Sequence, residues 1–332
     1  MMTRIVCVFT IALVMSCAGF GQQAMQEIAA PATASDAENT GSVLGQQQLK
    51  QKIAEDEASL RQAEATHASA VERARVYWNL GILYEDTAAF GLSETALTRS
   101  VALFRSVAGD DAELATALNS LAILHMAVGK FHQADKDSRE AFQLREKLGD
   151  RLPLAESWST FAALALKEHK YNDARDYATK AVAEYKANPK ADESDSIASQ
   201  YALGMSLCAL KDYSHGVQIL KDAVAEAMAK LPANDFPIGA GQFFLGLAYW
   251  KSGEMAQARR EMQTGLTALN EHLGENHPTY VASLELYAQY LHQTRQVEAA
   301  NMADRQIQQA KAVVDVRSLQ AGRDALGFDA FR

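Results

Sequence analysis

Between Leu118 and Leu144 the apolar positions form two helical stretches joined at Gly129. Ala122, Ala134 and Ala141 stand where two antiparallel helices would touch. Apolar residues recurring at spacings of three and four predict an amphipathic helical hairpin. The pattern is not confined to this stretch. The large-small pair Leu121-Ala122 returns as Leu80-Gly81, Phe161-Ala162, Leu203-Gly204, Leu245-Gly246 and Tyr287-Ala288, at steps of 41, 40, 42, 42 and 42 residues. Nine or ten residues after each pair comes Phe90, Phe131, Tyr171, Tyr213, Met255 or Val297, and three beyond that a small residue: Ser93, Ala134, Ala174, Gly216, Ala258 or Ala300. A fixed period of this length is the mark of stacked helical hairpins. Small residues in register allow two helices to approach closely, while the bulky ones fill the space between neighbouring hairpins. The repeats run over about 74–109, 115–149, 155–190, 197–232, 239–274 and 281–313, within a solenoid from 68 to 313.

The flanks read differently. Met1–Ala18 has the parts of a secretory signal, with Arg4, an apolar run from Ile5 to Met15 and small residues at Ser16 and Ala18; cleavage as late as residue 21 also fits. Val14-Met15-Ser16-Cys17 offers a competing lipoprotein reading with lipidation at Cys17, from which methionine before the small residue departs. Residues 22–45 are rich in Gln, Ala, Thr, Ser and Gly, and read as a flexible linker. Leu49, Ile53 and Leu60 predict a capping helix over 46–66. The sixth repeat, with Asp304 and Ile307, is expected to expose part of its second helix, and 314–332 reads as a C-terminal cap and tail.

Composition agrees with an all-α chain. Of 332 residues, 48% are hydrophobic, with only 6 prolines and 19 glycines. The formal charge is −9, and loss of the Arg4 segment would make it more acidic still. With no basic cluster, nucleic acid is excluded as a partner. Loss of the leader would leave Cys208 as the sole cysteine, so no internal disulfide is expected.

The columns resemble the tetratricopeptide repeat. Leu121-Ala122, Gly129, Phe131, Ala134 and Ala141 carry the likeness in the second copy. Leu245-Gly246, Tyr249, Gly253 and Ala258 carry it in the fifth, and Trp78-Asn79-Leu80-Gly81 with Tyr84 in the first. The period exceeds the usual length of about 34, which resembles the longer repeats of the kinesin-light-chain subclass, as does the connector Leu273-Gly274-Glu275-Asn276-His277-Pro278. The resemblance implies a right-handed superhelical solenoid of about six hairpins. Ala88, His169, Lys211 and Arg295 replace glycine at four of the six turns, so the left-handed turn that glycine favours is not expected to be general.

Catalytic chemistry is not legible. The histidines lack ligand spacing and there is no HExxH, paired-cysteine, G-x-S-x-G, Walker or Rossmann pattern. His125 shares a column with Tyr84 and Tyr249 and reads as packed; Cys208 has no cation near it in sequence. No enzyme, cofactor or metal is expected. By family register the first helix of each hairpin lines a concave groove. Three columns then face it: Trp78, Asn119, Ser159, Tyr201, Phe243, Glu285; Ile82, Ile123, Ala163, Met205, Leu247, Gln289; and Glu85, Met126, Leu166, Cys208, Trp250, His292. The second column reads equally as packing between neighbours. The candidate partner-binding residues are Trp78, Glu85, Asn119, Met126, Tyr201, Met205, Phe243, Trp250, Lys251 and His292. Aromatic and methionine side chains on such a strip suit an extended protein segment. With only Arg75, Lys167 and Lys251 basic there, recognition of an acidic C-terminus is disfavoured. The expected function is an exported scaffold, periplasmic or secreted, that holds a partner protein or peptide. The alternative is a lipid-anchored envelope assembly factor acting through its convex or end surfaces, with membrane contact only through the anchor.

Overall fold

The computed structural model describes residues 40–313, except 108, 110, 189 and 234, with side chains from Leu49 onward. The leader, Cys17, most of the linker and the tail lie outside the described residues. Thirteen helices and no strand occur among the described residues. α1 (Thr40–Ala65) is followed by six hairpins: α2 (Ala70–Asp86) with α3 (Phe90–Arg105), α4 (Asp111–Ala127) with α5 (Phe131–Leu148), α6 (Arg151–Lys167) with α7 (Tyr171–Ala187), α8 (Glu193–Ala209) with α9 (Tyr213–Lys230), α10 (Phe236–Ser252) with α11 (Met255–Leu273), and α12 (Pro278–Gln293) with α13 (Val297–Val313). Each second helix also packs on the first helix of the next hairpin, which makes the stack a superhelical solenoid.

The two helices of a hairpin meet through the small columns. A methyl group on Gly246 would lie 2.5 Å from Met262 Cγ and 2.6 Å from its backbone nitrogen, and one on Gly81 2.6 Å from Leu97 Cδ2. Ala122, Ala134, Ala162, Ala174, Ala258 and Ala300 in the same two columns have no exposed surface. Gly216 completes the second column: a methyl there would stand 2.5 Å from Cys208 Sγ, which is the close packing that keeps that thiol inside.

Every hairpin turn uses the left-handed conformation, against the expectation from sequence. Gly129 and Gly253 have φ of 73° and 92°, and Ala88, His169, Lys211 and Arg295 sit at 57°, 59°, 68° and 57°. The reason is a shared hydrogen-bond scheme. In each turn a backbone N–H reaches back five residues, as in Ala89 to Tyr84, Lys130 to His125, Lys170 to Ala165, Asp212 to Leu207, Glu254 to Tyr249 and Gln296 to Leu291, at 2.7–2.9 Å. These bonds satisfy helix-end carbonyls and hold four non-glycine residues in a conformation that costs each about 1 kcal/mol.

The starts are capped by side chains. Ser69 and Glu72 exchange a capping box before α2, Asp150 and Asp192 cap α6 and α8, and His277 caps α12 through Nδ1, which accepts from Thr279 N at 3.2 Å. α1 runs antiparallel to α2. Tyr84 Oη donates to Glu57 at 2.7 Å and Tyr77 Oη to Glu64 at 3.0 Å, and α1 also touches α11 of the fifth hairpin.

Candidate functional site: the inner face of the solenoid

The first helices touch one another along the stack, α2 with α4, α4 with α6, α6 with α8 and α8 with α10, which puts them on the tight inner side of the curve. Their composition sets them apart from the second helices. In α5 the buried residues Ala134, Ser138, Ala141 and Arg145 form one stripe at spacings of four, three and four. In α4 every residue from Leu114 to Ala127 except Thr116 is buried, and in α10 every residue from Phe236 to Ala248. Over these stretches the two helices are covered by neighbouring elements on all sides.

The first of the three columns does more than line a surface. Trp78 Nε1 donates to Ser120 Oγ at 2.9 Å, Thr160 Oγ1 to Asn119 Oδ1 at 2.9 Å, and Ser159 and Ser199 share a bond of 2.5 Å. Each bond links one hairpin to the next. Tyr201 lies edge-on to Phe244 at 6.1 Å, and a methyl on Gly241 would fall 2.1 Å from its hydroxyl, so the tyrosine packs directly against the fifth hairpin's backbone. Phe243 is buried against the backbone at Gly265. Trp250 Nε1 donates to Gln293 Oε1 at 2.9 Å, its ring meets Tyr290 edge-on at 5.7 Å, and Lys251 Nζ stands 4.8 Å from its centroid.

Of the ten candidate residues, Glu85, Asn119, Met126, Tyr201, Met205, Phe243 and Trp250 are buried, Trp78 and Lys251 are half-buried, and His292 is exposed. His292 pairs with Asp304 at 2.9 Å, away from the other nine in chemistry as well as exposure. Trp78, Asn119, Tyr201 and Trp250 thus act as joints between hairpins. Met126 and Met205, with Ile82, Ile123, Ala163 and Leu247, form the apolar strip between those joints. The basic residues of the strip are engaged too: Arg75 forks onto Glu113.

At the first-hairpin end the strip carries an acid. Glu85 is 3% exposed and its Oε1 makes no hydrogen bond; burial, reinforced by the adjacent Asp86, pushes its carboxyl well above the usual range. Burial lifts Asp86 to about 7. At the far end His277 is fully enclosed, and burial with the nearby His272 lowers it to about 3.

Three features escaped sequence reading. The joints pair one column with polar residues of the following hairpin, and Ser120 and Thr160, each just before a large-small pair, were the available signal. Arg145 is buried and bonds Ser157 at 2.9 Å and Glu156 at 2.6 Å, tying the second hairpin to the third. On the other side of that junction Phe142, Trp158, Phe161 and Tyr177 form an aromatic cluster, with Lys180 Nζ 4.4 Å from the Trp158 ring. No group of three or more His, Cys, Asp or Glu that could hold a metal ion occurs among the described residues.

A tetratricopeptide-repeat family model matches residues 113–187, from α4 through α7. These two hairpins match the tetratricopeptide repeat. The helical stack superposes on the apo form of RapI with a TM-score of 0.62, at 13% identity over 82% of this chain and 96% of that one. A Rap protein complexed with Competence and Sporulation Factor gives 0.59, at 15% identity over 84% and 89%. BtubC (BKLC) from P. vanneervenii gives 0.52, at 18% over 68% and 92%. Comparison with curated proteins finds no match.

Proposed function

We propose that this chain is a non-catalytic scaffold whose inner face holds an extended segment of another protein. The observation that carries the reading is the row of apolar side chains Ile82, Ile123, Met126, Met205 and Leu247 along the inner helices, between the joints. Methionine and aliphatic side chains in such a row suit an extended apolar segment. The similarly folded Rap protein complexed with Competence and Sporulation Factor supports the same use of the architecture. The leader-like Met1–Ala18 supports export, and Cys17 a lipid anchor as the alternative tether; palmitate labelling of the chain and of Cys17→Ala separates the two.

Tryptophan fluorescence tests the groove. The chain has three tryptophans, of which Trp78 and Trp250 lie on the inner face, so a Trp158→Phe variant reports that face alone. Titration with an extended 12-residue peptide of alternating Leu and Ser should give a saturable emission shift, weakened by Met205→Lys with helicity retained. No shift at millimolar peptide would sink the groove.

A second reading, an assembly factor working through its end, is favoured by the last helix. Val297, Met302 and Val313 of α13 are 63%, 58% and 72% exposed. Concentration-dependent self-association lost in Met302→Lys would support it.

A further inference from the structure

We propose that the first-hairpin end of the inner face is a subsite for a positively charged group, an arginine, a lysine or a terminal amine, carried by the segment that lies along the apolar strip. The inference rests on the groove reading above and adds what the occupant must contain. Glu85 follows Trp78 by seven residues and Ile82 by three, so the three share one face of α2. Trp78 is fixed on that face by its bond to Ser120 of the next inner helix.

The Glu85 carboxyl is shut away from water with an oxygen that nothing bonds. Buried polar groups are almost always paired, and one left alone is a standing loss in the free protein. Among the described residues the charge that acts on it is that of Asp86, which has the same sign. Arg75, three residues before Trp78 on α2, is engaged with Glu113 of α4. A cation delivered beside Glu85 would find one carboxyl already stripped of solvent and a second, half-buried one next to it. It would gain charge-assisted hydrogen bonds without further desolvation of its partner.

The rest of the third column, Met126, Leu166, Cys208 and Trp250, carries no acid before it ends at His292. The charge therefore fixes the direction of the bound segment, with its basic end at α2 and apolar residues running toward α10.

Two 12-residue peptides, identical in their alternating Leu and Ser but ending in Arg or in Gln, would be titrated into the Trp158→Phe chain by tryptophan fluorescence. The Arg peptide is expected to bind at least tenfold tighter. Glu85→Gln should abolish the difference, and Asp86→Asn should reduce it. Equal binding of the two peptides to the Trp158→Phe chain, or a difference that survives Glu85→Gln, overturns the subsite and leaves the groove standing. Binding of neither peptide overturns both. Because the peptide comparison is made on the Trp158→Phe chain, it decides the matter even if Glu85→Gln does not fold.

Discussion

Thr160 of the third hairpin donates its hydroxyl to Asn119 Oδ1 of the second at 2.9 Å, and both side chains are buried. The bond joins two inner helices whose other contacts are apolar and non-directional, so it sets how one hairpin is rotated on the next. Asn119→Ala should therefore cost about 0.5–1.5 kcal/mol, since the Thr160 hydroxyl keeps the Glu156 carbonyl as an acceptor at 3.0 Å. The double substitution with Thr160→Val should cost less than the sum of the singles. Urea unfolding followed by circular dichroism across that four-variant cycle checks it, and strict additivity would show the bond to be energetically idle.

Glycines in the small columns should separate by what faces them. Gly246→Ala drives a methyl into the Met262 backbone and should cost about 1–3 kcal/mol or more. Gly91, near the start of α3, has nothing within 4 Å of the added carbon, and Gly91→Ala should be neutral or slightly stabilising. Thermal unfolding of the two variants distinguishes a packing requirement from a general need for glycine.

The non-glycine turns predict gains. Lys211 is exposed at φ 68°, and its backbone N–H donates to Cys208 O at 2.9 Å, a bond that glycine keeps. Lys211→Gly should raise stability by up to about 1 kcal/mol, reduced by the added freedom of the unfolded chain. A lower unfolding midpoint would mean that the strain is relieved elsewhere.

Acid should loosen the last hairpin. The His277 cap works only while Nδ1 is an unprotonated acceptor, and burial lowers the group from 6.5 to about 3. The unfolded chain binds the proton more readily, so this stabilisation is intact above pH 6.5 and is lost as pH falls toward 3. Between pH 7.5 and 5 the loss is about 2 kcal/mol. Asp86 has the opposite sign: its carboxyl is raised to about 7, so its contribution is present at low pH and is lost as pH rises through about 7. Hydrogen-exchange protection, corrected for the intrinsic pH dependence of amide exchange, should be lower in α12 and higher in α2 at pH 5 than at pH 7.5. His277→Asn, which keeps a capping acceptor, should remove the effect in α12 only.

Much of the fold was legible because repetition multiplies weak signals. One Ala122 says little, whereas six small residues in register with six large ones define a hairpin and its neighbours. The turns were misread for the reverse reason: residue type was weighed, while the hydrogen bonds that hold Ala88 and Lys211 in a left-handed turn are a property of the folded backbone. Register placed Trp78, Asn119 and Trp250 on the inner face. It could not tell that each would bond across to the next hairpin, because the partners Ser120, Thr160 and Gln293 lie some forty residues on. The buried, unpaired oxygen of Glu85 has no sequence signature.

A stack in which each unit meets only its neighbours can fray from either end, one unit at a time. The contact of α1 with both α2 and α11 makes this array a circuit instead. Melting the first hairpin releases a tie on the fifth, so these two hairpins share one fate and partial states in between lose their advantage. Cooperativity here comes from a single helix that closes a loop around five hairpins, and the molecule should behave less like a chain of beads than like a ring with one clasp.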